Sequence, residues 1–128
     1  MVGRQDEYKH WLKKAANALS ASEALISQKL FVDAISRSYY AMFYAAKALL
    51  IRDGVTAGSK HSAVVAAFGR EYARTGRIDP RYHLILIESF EWRQKADYDV
   101  FWSADRETAN GLLKDAREFI NQVSKMCI

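Results

Sequence analysis

The chain has 128 residues, of which 50% are hydrophobic, 27% charged and 12% aromatic, a length that suits one domain over 1–128 and a make-up that excludes intrinsic disorder. Nineteen Lys and Arg against fifteen Asp and Glu leave a net charge of +4 and a pI near 9.2, which permits an anionic partner without requiring one. No apolar run approaches the roughly 18 residues of a membrane span, the N-terminal residues are polar and of mixed charge, and the single Cys127 supports neither a disulfide framework nor a cysteine metal site; a cytoplasmic protein is expected.

Pro occurs once, at Pro80, and Gly six times, too little punctuation for a many-stranded sheet and well suited to long helices with short joints. An all-α helical bundle is the predicted fold class. The first helix is predicted over about Asp6 to Ser27, with Tyr8, Trp11, Leu12, Ala15, Leu19 and Ile26 on one face and Ser22 filling the remaining turn. The second, about Val32 to Arg52, is apolar over most of its circumference, through Ile35, Met42, Phe43, Ala46, Leu49 and Leu50, and reads as the central helix. Asp53-Gly54 supplies its stop, and Ser59 is placed to cap a shorter third helix built on Val64, Val65, Phe68 and Tyr72. After the loop Thr75-Gly76-Arg77, Asp79-Pro80 starts a fourth helix. That helix should run to about Ala96 on a stripe of Leu84, Ile87 and Phe90, with Ile85 and Trp92 beside it, until Asp97-Tyr98-Asp99 breaks the pattern. Ser103 is the expected cap of a fifth, whose buried stripe is Leu112, Leu113, Ala116, Phe119, Ile120 and Val123.

The usual enzyme signatures are absent: no Gly-x-Ser-x-Gly turn, no glycine-rich phosphate loop and no dinucleotide fingerprint. His10, His61 and His83 fall on different predicted helices without a paired ligand at metal spacing, so no metal site is predicted. Arg70, Arg74, Arg77 and Arg81 form a basic stretch that is a candidate phosphate surface. Arg37 lies inside the central helix with Tyr40 and Tyr44 on the same face. It reads either as a ligand-facing polar stripe or as one half of a register-fixing ion pair with Asp97 or Asp99. Glu88, Glu91, Arg93, Asp97, Tyr98 and Asp99 form a second polar set around the end of helix four, which also reads as a solvated helix end.

Three segments carry a resemblance: Ser36-Arg37-Ser38-Tyr39-Tyr40-Ala41-Met42-Phe43-Tyr44-Ala45-Ala46, Ser59-Lys60-His61, and Arg93-Gln94-Lys95-Ala96-Asp97-Tyr98-Asp99. Together they resemble the small prokaryotic HEPN-domain proteins, which are usually encoded beside a minimal nucleotidyltransferase. The resemblance implies an up-and-down bundle of four long helices plus a shorter one, a homodimer, a nucleotidyltransferase partner and, for toxin members, metal-independent RNA cleavage without a cofactor. Toxin members carry an Arg and, about one to two helical turns later, a His; here Arg93 matches the Arg while Tyr98, Asp99 and Val100 stand where the His would fall. The resemblance therefore puts Arg93, Tyr98 and Asp97 at the catalytic positions, with Arg37, Tyr40, His61 and Arg93 as contacts for RNA or nucleotide. His61 or a residue of a second copy is left to carry the proton, or else the cleft only binds. Tyr98 is a further candidate as acceptor of a transferred nucleotide, because related toxins are silenced at a tyrosine beside their motif.

Overall fold

Regular structure among the described residues, 3–127 of a computed structural model, is entirely helical. The elements are α1 (Arg4–Ser27), α2 (Phe31–Arg52), α3 (His61–Phe68), α4 (Pro80–Tyr98) and α5 (Arg106–Met126), with α3 continuing into a π-helical turn over Gly69–Ala73. Four long helices and one short one thus form the expected bundle. Twelve of the 22 residues of α2 are buried, and α2 packs against α1, α3, α4 and α5, so it is the central helix. Its alanines at 34, 41, 45, 46 and 48 have no exposed surface, which lets neighbouring backbones approach closely. Within the α1–α2 seam, Ser22 donates to the Ala34 carbonyl at 2.9 Å and its hydroxyl lies 2.7 Å from that of Ser38. Both hydroxyls are thereby satisfied without water.

Helix ends follow local chemistry. The α1–α2 joint is a tight turn in which Lys29 takes the left-handed conformation (φ 64°) and the Leu30 amide donates to the Leu25 carbonyl at 2.9 Å. Gly54 (φ 70°) closes α2 in the same manner, with the Val55 amide on Leu50, as Asp53-Gly54 predicts. Asp79 accepts from the Arg81 amide at 3.0 Å ahead of Pro80, so the predicted α4 start is the observed one. Two predicted caps are not. The residue before α3 is Lys60, without a side-chain cap, and Ser59 plays no capping part. Asp105 rather than Ser103 caps α5, accepting from the Thr108 amide at 2.8 Å, because a carboxylate three residues before a free amide reaches it and Ser103 lies outside that turn.

The α4 stripe also differs from prediction. The buried positions are Tyr82, Leu86, Ser89 and Arg93, while Leu84 is 58% exposed and Ile85, Ile87, Phe90 and Trp92 are only partly covered. Polar residues at two of four core positions hide the true periodicity from an apolar count. Nor do Asp97 and Tyr98 break the helix, which continues to Tyr98 with Asp99 as its C-cap. The glycine that opens the π turn has a steric reason: the His83 ring packs onto Gly69 so closely that a Cβ there would lie 2.3 Å from Cε1. The far end of the core is aromatic, with Phe68 lying 5.2 Å from Phe119 and 5.4 Å from Tyr72 between ring centroids.

Candidate functional site

Arg93 is a charge in a position built for an apolar residue. It is 9% exposed, near the C-terminal end of α4, where it faces α2 and the start of α3. A buried guanidinium is tolerated only when its donors are met, and here three elements supply the partners. Asp97, one turn on, accepts from Nη1 at 3.3 Å. His61 Nδ1, at the first turn of α3, lies 3.2 Å from Nη2. The rings of Tyr39, Tyr40 and Phe90 sit 5.5, 5.8 and 5.5 Å from the guanidinium carbon. Asp97 is itself held by the Ser36 hydroxyl of α2 at 2.8 Å, so Ser36 and Asp97 fix the arginine from behind. Nε is the one buried side-chain nitrogen or oxygen without a partner among the described residues.

The protonation of His61 follows from its neighbours. Arginine can only donate, so Nδ1 is the acceptor and the ring proton sits on Nε2. The Tyr39 hydroxyl, 2.8 Å away, donates to the same Nδ1. Burial pushes the Tyr39 phenol well above its ordinary value, so it stays protonated and remains a donor. Burial, then the charges of Arg93 and Lys47, hold the His61 imidazole below its ordinary pKa, with Asp97 only partly opposing them. The ring is locked in plane by Phe43, stacked at 4.1 Å and 10°, and meets Tyr40 edge-on at 5.6 Å. The result is a neutral, oriented imidazole whose Nε2–H has no protein partner among the described residues. Arg93, for its part, is held more firmly protonated: burial opposes its charge, but Tyr40, Tyr39 and Asp97 outweigh it.

The profile of the HEPN domain family matches residues 8–126. This chain belongs to the HEPN family. It is 35% identical over 122 residues to a Methanocaldococcus jannaschii protein named "Putative toxin MJ0142", spanning 95% of this chain and 82% of that one. It is 33% identical over 121 residues to "Putative toxin MJ0605" of the same organism, spanning 94% and 89% of the two chains. A UPF0332 protein of Thermotoga maritima is 31% identical over 117 residues, spanning 91% and 88%.

In this HEPN bundle, four of the six candidate positions converge. Arg93, Asp97 and His61 are in direct contact, and Tyr40 touches both Arg93 and His61. Arg37 joins through Tyr40, its guanidinium 4.7 Å from that ring. It forms no ion pair with Asp97 or Asp99; Arg93, closer along α4, takes Asp97, and Asp99 turns back to the Phe101 amide at 3.1 Å. Tyr98 stands apart, 77% exposed at the last turn of α4. Apolar counting overlooks Ser36 and Tyr39 and marks Phe43 and Phe90 only as stripe residues; helical spacing relates the first three, since 36, 39 and 43 share one face of α2. The basic stretch is largely spoken for. Arg70 pairs with Glu71, Arg77 with Asp53, and Arg81 with Asp79 and Glu118. One hollow of about 570 Å³, lined by Gly69, Arg70, Arg74, His83 and Leu84, lies at the opposite end of α4 from Arg93, and another of about 560 Å³ is lined by Glu91, Gln94, Lys95, Tyr98 and Asp99 at the Arg93 end. Among the described residues no three His, Cys, Asp or Glu side chains are grouped as metal ligands, and no helix is long and apolar enough to cross a membrane.

The lowered pKa of His61 has a sign for stability. Above its ordinary value of about 6.5, folded and unfolded chains both carry neutral His61 and nothing is at stake. As pH falls below that value the unfolded chain takes up the proton first, so the contribution of the neutral ring to stability is lost progressively toward the lower folded-state pKa. Nuclear magnetic resonance titration of the His61 ring should give a midpoint below that of a free histidine. A midpoint at or above about 6.5 would contradict the partly buried, Arg93-facing placement.

Proposed function

We propose that this chain is the effector of a toxin-like HEPN system and acts on RNA, holding a phosphodiester at Arg93 with the His61 Nε2–H and the Arg37 guanidinium beside it. The observation that carries the reading is the 3.2 Å contact of Arg93 with His61. It unites through space, from two helices, the arginine and histidine that the family's toxins carry along one. Two relatives named as toxins support the same role. In strand scission the 2′-oxygen attacks phosphorus as the 5′-oxygen leaves, and negative charge builds on the non-bridging oxygens. Fixed donors aimed at that charge are the strongest single contribution a protein makes. Arg93 is such a donor, pre-oriented by Asp97 and Ser36. His61, with Nδ1 already filled, donates to the phosphate as well, leaving solvent to take the 2′-hydroxyl proton and to protonate the departing 5′-oxygen. Cleavage should therefore rise with pH in place of following a histidine titration.

The exposed residues past α4 belong to the same proposal. Val100 and Phe101 are 87% and 95% exposed, an apolar tip that a homodimer would cover next to the Arg93 seam. Tyr98, one residue past Asp97 and open to solvent, is the acceptor we assign to a nucleotidyltransferase partner; a nucleotide joined there would place a bulky anion at the seam. Cytoplasmic RNA is the substrate this scheme requires.

Three outcomes are expected. With labelled RNA in excess chelator, the protein should cleave and Arg93→Ala should lose about 10²–10³-fold in rate; equal rates in the two would refute the role of Arg93. Replacement of Phe101 by Asp should convert a dimer to a monomer in sedimentation, and a parent that sediments as a monomer would remove the dimer from the scheme. Incubation with ATP and a minimal nucleotidyltransferase should add nucleotide mass to the parent chain, and the Tyr98→Phe variant should gain none.

A further inference from the structure

From Arg37, beside the Arg93 seam, the same face of α2 carries on into a row of residues most of which scission at one phosphate does not use. Arg37, Tyr40, Tyr44 and Lys47 recur at helical spacing along it, and Trp11 and Lys14 of α1 lie against its far end. The rings form an unbroken row: Tyr40 is 5.6 Å from His61, Tyr44 5.8 Å from Tyr40, and Trp11 5.7 Å from Tyr44. A cation attends every ring. Arg37 lies 4.7 Å from Tyr40, Lys14 4.6 Å from Tyr44 and 5.1 Å from Trp11, and Lys47 4.6 Å from Trp11. None of the three cations has a carboxylate within ion-pair distance among the described residues, although the chain forms ion pairs elsewhere at Arg52, Arg70, Arg77, Arg81, Arg93 and Arg117.

Simple helix packing accounts for rings between α1 and α2, and lysine stems covering them. It does not account for two ammonium groups drawn to one indole with no acid between them, an arrangement whose mutual repulsion an anion would relieve. Partly buried rings alternating with unpaired cations are what a single strand of nucleic acid needs: bases stack on the rings regardless of sequence, and phosphates take the cations. We propose that this row is the track for single-stranded RNA leading to the Arg93 seam, with Tyr40, Tyr44 and Trp11 as base platforms and Arg37, Lys47 and Lys14 as phosphate partners. The proposal rests on the RNA reading above and deepens it. The track makes the substrate single-stranded, because a base already paired within a duplex is stacked between its neighbours and offers no free face to the rings. It also makes selection weak in sequence and strong in length.

Binding tests this without cleavage if the RNA is a 2′-O-methyl oligouridylate, which lacks the attacking hydroxyl. A dinucleotide reaches only the Arg93 seam, whereas an octanucleotide also covers the track. The octanucleotide should bind the parent about 10-fold or more tighter than the dinucleotide, and the Lys14→Ala/Lys47→Ala double variant should lose that gain while holding the dinucleotide as before. The slope of log affinity against log salt for the octanucleotide should fall by about 1.4, two phosphates' worth for a single strand. Trp11→Phe, a conservative change that keeps the ring packing, should remove a share of the fluorescence quenching that the octanucleotide causes. Equal octanucleotide affinity in parent and double variant, or an equal loss for both lengths, would overturn the track and leave the Arg93 reading standing. If the parent binds neither length, both fall.

Discussion

A single guanidinium organises one end of this bundle. Arg93 occupies a core position of α4, and a charge there is stable only while α2 and α3 bring it partners. The consequences run outward in order. Asp97 must sit one turn later on α4, Ser36 must reach it from α2, and the first turn of α3 must bring His61 close enough for Nδ1 to accept. Tyr39, Phe43 and Phe90 then close the space around ring and guanidinium. The polar cluster therefore works as a clamp among three helices as well as a site, and its partners cannot be exchanged one at a time without stranding a buried charge.

The bundle itself was readable because its signals are local. Asp53-Gly54 and Asp79-Pro80 stop and start helices through bonds made within a few residues, and both appear where their chemistry puts them. The alanine-rich α2 announces its own enclosure. What failed was also local, but polar: Ser89 and Arg93 hold the α4 stripe in place of leucines, and a carboxylate displaced Ser103 as the α5 cap. An apolar count has no means of recognising a core position filled by arginine.

Several residues of the Arg93 cluster were singled out in the sequence, but not their pairing. Arg37, Tyr40, His61, Arg93 and Asp97 could each be picked out from residue type and from resemblance to HEPN proteins. That His61 joins Asp97 in meeting Arg93 depends on the turn between α2 and α3, since the two residues are 32 positions apart in the chain. The obvious partner for Arg37 was an acid; the observed one is the Tyr40 ring. Tyr39 is fully buried, yet its hydroxyl also donates to His61 Nδ1 beside Arg93. Dual duty of that kind has no signature in a hydrophobic pattern.

The pairing of Arg93 with Asp97 has a kinetic consequence. Seen from a distance the pair is nearly neutral, so it exerts little pull on an approaching polyanion. Attraction over a Debye length falls instead to the uncompensated cations Arg37, Lys14 and Lys47 on the flank. For the RNA strand proposed above, arrival would then depend on the flank and so strongly on ionic strength, while the contact at the buried guanidinium would depend on it weakly.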